Sequence, residues 1–167
     1  AGSLKLSEAG TLGSTISMSG GVLDADNSST VSGTLTQAGN ITIDVADDKT
    51  LTYSGSAISL GANTLTLTGG GNLVSGGLTL DNASSKLVLN SITVDSVSTS
   101  ADSLGLDVDD NSTVTSLTVA HTTPVSIASG KTLSGAITVT AGSLKLSEAG
   151  TLASTIAMSG GTLDADE

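Results

Sequence analysis

The chain has no cysteine, so neither a disulfide framework nor a thiolate metal site is open to it. It has no phenylalanine or tryptophan and a single tyrosine, Tyr53, which excludes an ordinary globular core built on large rings. Its five basic residues are all lysine, against 16 acidic ones, and the net charge of −11 speaks against nucleic acid or an anionic membrane as partner, since both are drawn to basic patches. No apolar run approaches the roughly 20 residues that a membrane-inserted helix needs. Good helix formers other than Leu and Ala are scarce, and no apolar stripe at 3.6 spacing lasts three turns.

What is present is Ser, Thr, Val, Ile, Leu and Gly, a mixture suited to short strands broken by glycine turns. The apolar alternation is too persistent for disorder, which belongs to chains with too few apolar residues to bury. A narrow core of stacked aliphatics satisfies both conditions.

Repetition organises the whole chain. Residues 141–167 restate residues 1–27 at an offset of 140, differing at four of 27 positions: Gly13/Ala153, Ser17/Ala157, Val22/Thr162 and Asn27/Glu167. A shorter period lies inside, in which Thr-Leu-like dyads place an apolar residue at Leu12, Val31, Leu51, Leu73, Ile92, Val114, Leu133 and Leu152, with gaps of 19 to 22. Two further registers keep step. One runs through Leu4/Leu6, Leu23/Ala25, Ile41/Ile43, Leu65/Leu67, Leu87/Leu89, Leu104/Leu106, Val125/Ile127, Leu144/Leu146 and Leu163/Ala165, and the other includes Ile16/Met18, Leu35, Ile58/Leu60, Leu78/Leu80, Leu117/Val119, Ile137/Val139 and Ile156/Met158. Seven short units thus fill residues 1–140, and residues 141–167 begin the next copy within one continuous body.

Units of this length match one turn of a parallel β-helix. The expectation is an all-β β-solenoid of about eight turns, each of three short strands, stabilised as solenoids are by contact between neighbouring turns. Parallel crossovers predict a right-handed coil, and strands about 4.8 Å apart predict a rise of roughly 34 Å over seven turns. In the same-face columns, Val31 is expected over Leu12, Leu51 over Val31, Leu133 over Val114 and Leu152 over Leu133. Residues 53–57, the triple glycine 69–71 and residues 97–102 are expected to mark lateral excursions, and Pro124 a bend or strand start.

The segment GKTLSGAITVTAGSLKLS at 130–147, with its relatives at 10–26 and 29–44, resembles the β-helical passenger repeats of bacterial autotransporter adhesins and very large filamentous surface proteins. The resemblance covers nearly the whole chain. It implies secretion and an extracellular or cell-surface setting, and it carries fold rather than a single function, because passengers with this cadence do different jobs. No translocator or catalytic motif of those families is visible.

Acidic clusters recur after the third strand of several units, at Asp24 and Asp26, at Asp44, Asp47 and Asp48, at Asp107, Asp109 and Asp110, and at Asp164, Asp166 and Glu167. Stacked like charges repel, and Ca²⁺ held by carboxylates and corner carbonyls would relieve that repulsion. Solvated turn aspartates that keep a fibre soluble explain the same pattern, which matches neither the EF-hand loop nor the glycine-rich nonapeptide. Outward Thr-x-Thr pairs at 34/36, 50/52, 64/66/68, 113/115 and 138/140 fall on different edges of the turn, which counts against an ice-binding ladder. With no arginine, one histidine (His121) and scattered lysines, nothing assembles the paired carboxylates and cleft of a polysaccharide-cleaving β-helix, so no enzymatic role is expected. The four Asn-x-Ser/Thr triplets at Asn27, Asn40, Asn82 and Asn111 are weak signals in so Ser/Thr-rich a chain.

Neither end of the sequence carries a recognisable cap, and an unfinished solenoid leaves unpaired N–H and C=O groups. The reading is a structural extracellular fibre, stalk or filament, continued end to end by copies of itself, with surface coating or adhesion as its role. The alternative is a secreted passenger binding Ca²⁺ or carbohydrate on one face.

Overall fold

A computed structural model describes residues 2–147 and 150–165. Among these residues every strand pairing is parallel and no helix is present. The chain winds as a β-solenoid of about eight turns. Four turns of three strands come first: β1 (Ser3–Leu6), β2 (Thr11–Leu12) and β3 (Ile16–Met18); β4 (Val22–Ala25), β5 (Ser29–Val31) and β6 (Leu35–Gln37); β7 (Ile41–Val45), β8 (Thr50–Tyr53) and β9 (Ile58–Ser59); β10 (Thr64–Thr68), β11 (Asn72–Ser75) and β12 (Leu78–Leu80). Four turns of two strands follow: β13 (Lys86–Asn90) and β14 (Thr93–Thr99); β15 (Gly105–Val108) and β16 (Ser112–Val119); β17 (Thr123–Ile127) and β18 (Thr132–Val139); β19 (Ser143–Ser147) and β20 (Thr151–Met158). Strand β21 (Thr162–Asp164) starts the next turn.

The expectation of three strands per turn therefore holds for the first half and is corrected for the second. From β14 onward the second and third edges fuse into one long bent strand, and β14 pairs with both β11 and β12. The bend is taken up by a bulge: β16 has one residue more than β18 between the pairs Val114↔Gly135 and Ser116↔Ala136. Gly135 sits there at φ +131°, and a Cβ would strike the carbonyl of Val114. Only glycine passes.

Two sheets line the solenoid. One is the nine-stranded stack β1-β4-β7-β10-β13-β15-β17-β19-β21, and the other follows β2-β5-β8-β11-β14-β16-β18-β20, with β3 and β6 forming a short third ladder. Buried inward residues alternate with half-buried outward ones along the strands of the middle turns, as in β7 and β17. The core is a column of stacked aliphatics: Leu23, Ile43, Leu67 and Leu89 are each at most 1% exposed.

The third edge stacks as its spacing predicts at Ile16 beside Leu35, Ile58 beside Leu78, and Leu117, Ile137 and Ile156 in succession, while Val97, expected in an excursion, instead joins the column between Leu78 and Leu117. The other two columns are corrected. Leu12 does pair with Val31, and Leu133 with Leu152, but Val31 pairs with Tyr53 rather than Leu51, Leu73 with Val94 rather than Ile92, and Leu133 with Ser112 rather than Val114. On the first sheet Leu23 pairs with Ile43 rather than Ile41, Leu87 with Leu106 rather than Leu104, and Leu144 with Thr123 rather than Val125. Every slip is of two residues. Such a slip keeps each side chain on its own face, so the core survives it. At three of the slips a small hydroxyl residue fills the inward place at the start of a strand and donates to a corner carbonyl: Ser29 to Glu8 at 3.1 Å, Ser112 to Asp110 at 2.9 Å and Thr123 to His121 at 3.1 Å.

The expected excursions are also smaller than their sequence lengths. Tyr53 turns inward, 4% exposed, and its hydroxyl accepts the N–H of Leu35 at 3.1 Å, closing a gap between the second and third edges. Residues 97–99 belong to β14, and Leu104 is left 56% exposed beyond them. The triple glycine is a tight pass, because a Cβ on Gly69 would collide with Asp44 and Val45, and one on Gly70 with Asp47. Pro124 sits second in β17, facing out.

Candidate functional site

The acidic clusters expected from the sequence belong to the first sheet and the corner that follows it, and Asp24, Asp26, Asp44, Asp47 and Asp48 form one group while Asp107, Asp109 and Asp110 form a second. In the first group β4 lies between β1 and β7, with Asp24 directly opposite Lys5 on one side and Asp44 on the other. Adjacent-turn stacking of Asp24 and Asp44 is thus present. The Lys5 ammonium reaches Asp26 at 2.8 Å and Asp24 at 3.4 Å. The hydrogen bond from Lys5 holds the Asp26 carboxyl below its usual range, and those to Asp26 and then Asp24 raise the lysine. Among the described residues no lysine forms an ion pair with Asp44, on which Lys5 acts only at a distance. Its carboxyl is pushed up, first by burial and then by the charges of Asp24 and Asp26.

Asp47 and Asp48 lie on the exposed turn after β7, closed by a hydrogen bond from the Lys49 N–H to the Ala46 carbonyl at 3.0 Å, with Asp48 at φ +60°. The glycine pass at 69–71 runs against this turn and keeps it narrow.

In the second group Asp107, Asp109 and Asp110 lie on one turn, and two lysines reach them from the turns on either side. Asp107 on β15 meets the Lys86 ammonium at 2.5 Å, and Asp110 meets Lys131 at 2.8 Å. The hydrogen bond from Lys131, followed by one from the Asn111 N–H at 2.7 Å, lowers the Asp110 carboxyl. Asp109 is exposed at the same corner, and Asp164 on β21 stands opposite Lys145. Asp166 lies outside the described residues. The nine expected carboxylates among the described residues therefore do not form one line along the solenoid. Among the described residues no three acidic or histidine side chains converge into a set that could hold a metal ion.

Sequence reasoning missed the carboxylates that are built into the corners. Asp81 accepts the Gly61 N–H at 2.8 Å and the Ser59 hydroxyl, and Asp102 accepts the Thr122 N–H at 2.9 Å, both from a neighbouring turn. The asparagines of the Asn-x-Ser/Thr triplets do similar work: Asn40 accepts the Thr64 N–H at 2.8 Å, Asn111 that of Thr132 at 2.9 Å, and Asn27 donates to the Ser7 carbonyl at 2.6 Å. Their signal was position. Each stands at a corner, where backbone N–H groups leave the ladder and need another acceptor.

The outward face of the second sheet is different in character. Thr50, Asn72, Thr93, Thr113 and Ser134 form one column, and Ser59, Thr79, Ser98, Thr118 and Thr138 another. The surface hollows include four of 190 to 260 Å³. His121 is half-exposed, its Nδ1 4.0 Å from Asp102.

The chain matches no family model, no curated protein and no solved structure. Function has to be argued from the solenoid itself.

Proposed function

We propose that the chain is part of a structural extracellular fibre, stalk or filament in which 140-residue β-solenoid repeats continue end to end, with surface coating or adhesion as its role. One observation carries this reading. Strand β1 pairs with β4 as Ser3↔Val22, Leu4↔Leu23 and Lys5↔Asp24, and 140 residues later β19 pairs with β21 as Ser143↔Thr162, Leu144↔Leu163 and Lys145↔Asp164. The long repeat is therefore a whole number of turns that returns the same rung in the same register, the condition for indefinite extension. Hydroxyl-rich outward columns and corner acidic groups supply solubility along the rod.

A tandem chain of residues 1–140 followed by residues 1–167 tests it. The expected product is a single rod nearly twice as long as the present chain, melting at higher temperature because a larger fraction of its turns is covered on both sides. Two independently melting bodies, or a compact particle in small-angle scattering, would refute it.

The second reading is a passenger that binds Ca²⁺ or carbohydrate on one face, and the stacking of Asp24 on Asp44 is the observation in its favour. Calcium titration with a thermal melt separates the two. A rise in Tm that is lost in Asp44→Asn supports a Ca²⁺ site, and an unchanged Tm supports the passive rod.

A further inference from the structure

We infer that a trough at the corner leading into the second sheet binds an extended neutral polysaccharide, laid along the solenoid axis with one sugar unit to each turn. The inference rests on the carbohydrate-binding reading above and names its face.

Consecutive turns in the middle of the solenoid build the trough. Thr93 on β14 pairs with Thr113 on β16, and Thr113 with Ser134 on β18, so these three stand in one outward column. Two residues earlier, the same offsets set Ser91, Asn111 and Thr132 in a second column beside it, which Gly70 continues on the preceding turn. The two columns line a hollow of 190 Å³. Its floor is formed by Ile92 and Ser112, 3% and 6% exposed.

The corner is shaped by the two-residue slip that puts Ser112 in an inward place opposite Leu133. The Ser112 hydroxyl donates to the Asp110 carbonyl at 2.9 Å and accepts the Ile92 N–H at 3.3 Å, tying neighbouring turns together beneath the trough. Next to Ile92, Ser91 is held at φ +57°, a strained conformation for a residue other than glycine, and strain of this kind collects where a surface is set for a ligand.

The walls select the chemistry. Among the described residues the hydroxyls of Ser91, Thr93, Thr113, Thr132 and Ser134 take part in no hydrogen bond. The Asn111 Oδ1 accepts the Thr132 N–H at 2.9 Å, which leaves its NH₂ as a donor. No charged side chain lines the hollow, and Asp110 beside it is paired with Lys131 at 2.8 Å. Such a wall donates and accepts as sugar hydroxyls do. It offers no cation to a carboxylate, and the net charge of −11 repels acidic glycans. The array is also local, since Ser134 is followed in its column by Ala153, and the turn beyond Gly70 carries Asp47 against it.

Size and spacing point to a chain rather than an enclosed molecule. The hollow is smaller than the roughly 300–1,000 Å³ of pockets that engulf a small ligand. A hexopyranose unit in an extended chain is about as long as one turn is high, about 4.8 Å, so successive sugars meet successive copies of the same polar pair. The one aromatic ring, Tyr53, is buried elsewhere and supplies no stacking platform, so single contacts are weak and affinity accrues along the chain.

Affinity electrophoresis tests this, with hydroxyethyl cellulose in the gel as the neutral polymer and polygalacturonate as the acidic one. The chain is expected to be retarded by the first and not by the second. Thr93→Val/Thr113→Val keeps the β-branched shape while removing two wall hydroxyls, and is expected to raise the apparent Kd about tenfold or more. Thr118→Val/Thr138→Val makes the same exchange on the third edge and is expected to leave binding unchanged. A circular dichroism melt of each pair checks that both fold. No retardation by the neutral polymer, or retardation by the acidic polymer alone, overturns the inference together with the carbohydrate reading. Retardation that survives Thr93→Val/Thr113→Val, or falls equally in both pairs, overturns the trough and leaves a carbohydrate-binding face elsewhere on the solenoid.

Discussion

Leu4 and Leu144 are the same residue in the same sequence context, and they differ only in what lies beneath them. Leu144 has Thr123 on one side and Leu163 on the other and is fully buried, whereas Leu4 has Leu23 on one side only and is 39% exposed. Truncation to alanine removes the transfer free energy of the lost methyl groups and, at a buried site, leaves a cavity as well. Leu144→Ala should cost about 2–5 kcal/mol. Leu4→Ala should cost about 1 kcal/mol or less, because part of the side chain is already in water and no cavity is enclosed. With roughly 2–4 °C per kcal/mol for a chain of this size, the two variants should differ by about 2 °C or more in Tm, read by circular dichroism at a strand wavelength. Hydrogen exchange adds a spatial readout. Leu4→Ala should loosen only the amides of the first turn, while Leu144→Ala should loosen everything from β19 onward, since turns depend on their neighbours. Equal Tm shifts for the two would refute the claim that stability resides in contact between turns.

Tyr53→Phe should cost about 1–3 kcal/mol by stranding the Leu35 N–H in the interior, with faster exchange of that amide as the signature. Gly135→Ala should destabilise by about 1–3 kcal/mol, through its left-handed φ and the collision with Val114, and a shift confined to a few tenths would mean the bulge relaxes freely. Asp44 binds its proton more tightly when folded, so its ionisation lowers stability as pH rises from its unfolded value through its raised folded one. Asp44→Asn should therefore raise Tm at neutral pH and lose that advantage in acid. Asp110 has the opposite sign: its pairing with Lys131 stabilises above the unfolded carboxylate value and is lost as pH falls through the lowered folded one, so Asp110→Asn should hurt at neutral pH and not at low pH.

The turn length, the parallel stacking and the inward set were legible because each depends on periodicity alone. Leu65, Leu87 and Leu106 declare their face by alternation, and spacings near twenty place them on successive turns. Exact register was not legible. A shift of two residues leaves alternation intact, so nothing in the pattern distinguishes Tyr53 from Leu51 as the neighbour of Val31. What decides the slip is the corner, where Ser29, Ser112 and Thr123 have hydroxyls that satisfy carbonyls the ladder cannot reach. The fusion of strands after β14 was hidden for a related reason, since the bend persists while the hydrogen bonding runs through it. Of the acidic residues, sequence placed Asp24 against Asp44 but not the lysines that separate the second group, because Lys86 and Lys131 arrive from other turns. Asp81 and Asp102 passed unnoticed since single corner aspartates look the same whether they face water or hold the next turn.

The ladder bonds of this rod run along its length rather than across it. Tension applied at the two ends thus peels coils off one by one, and each coil holds about twenty residues wound into a rise of about 4.8 Å. Drawn straight, such a segment spans roughly 65–70 Å. A tether of this design would yield in steps, releasing more than ten times its resting length per coil, and would rewind as load is released.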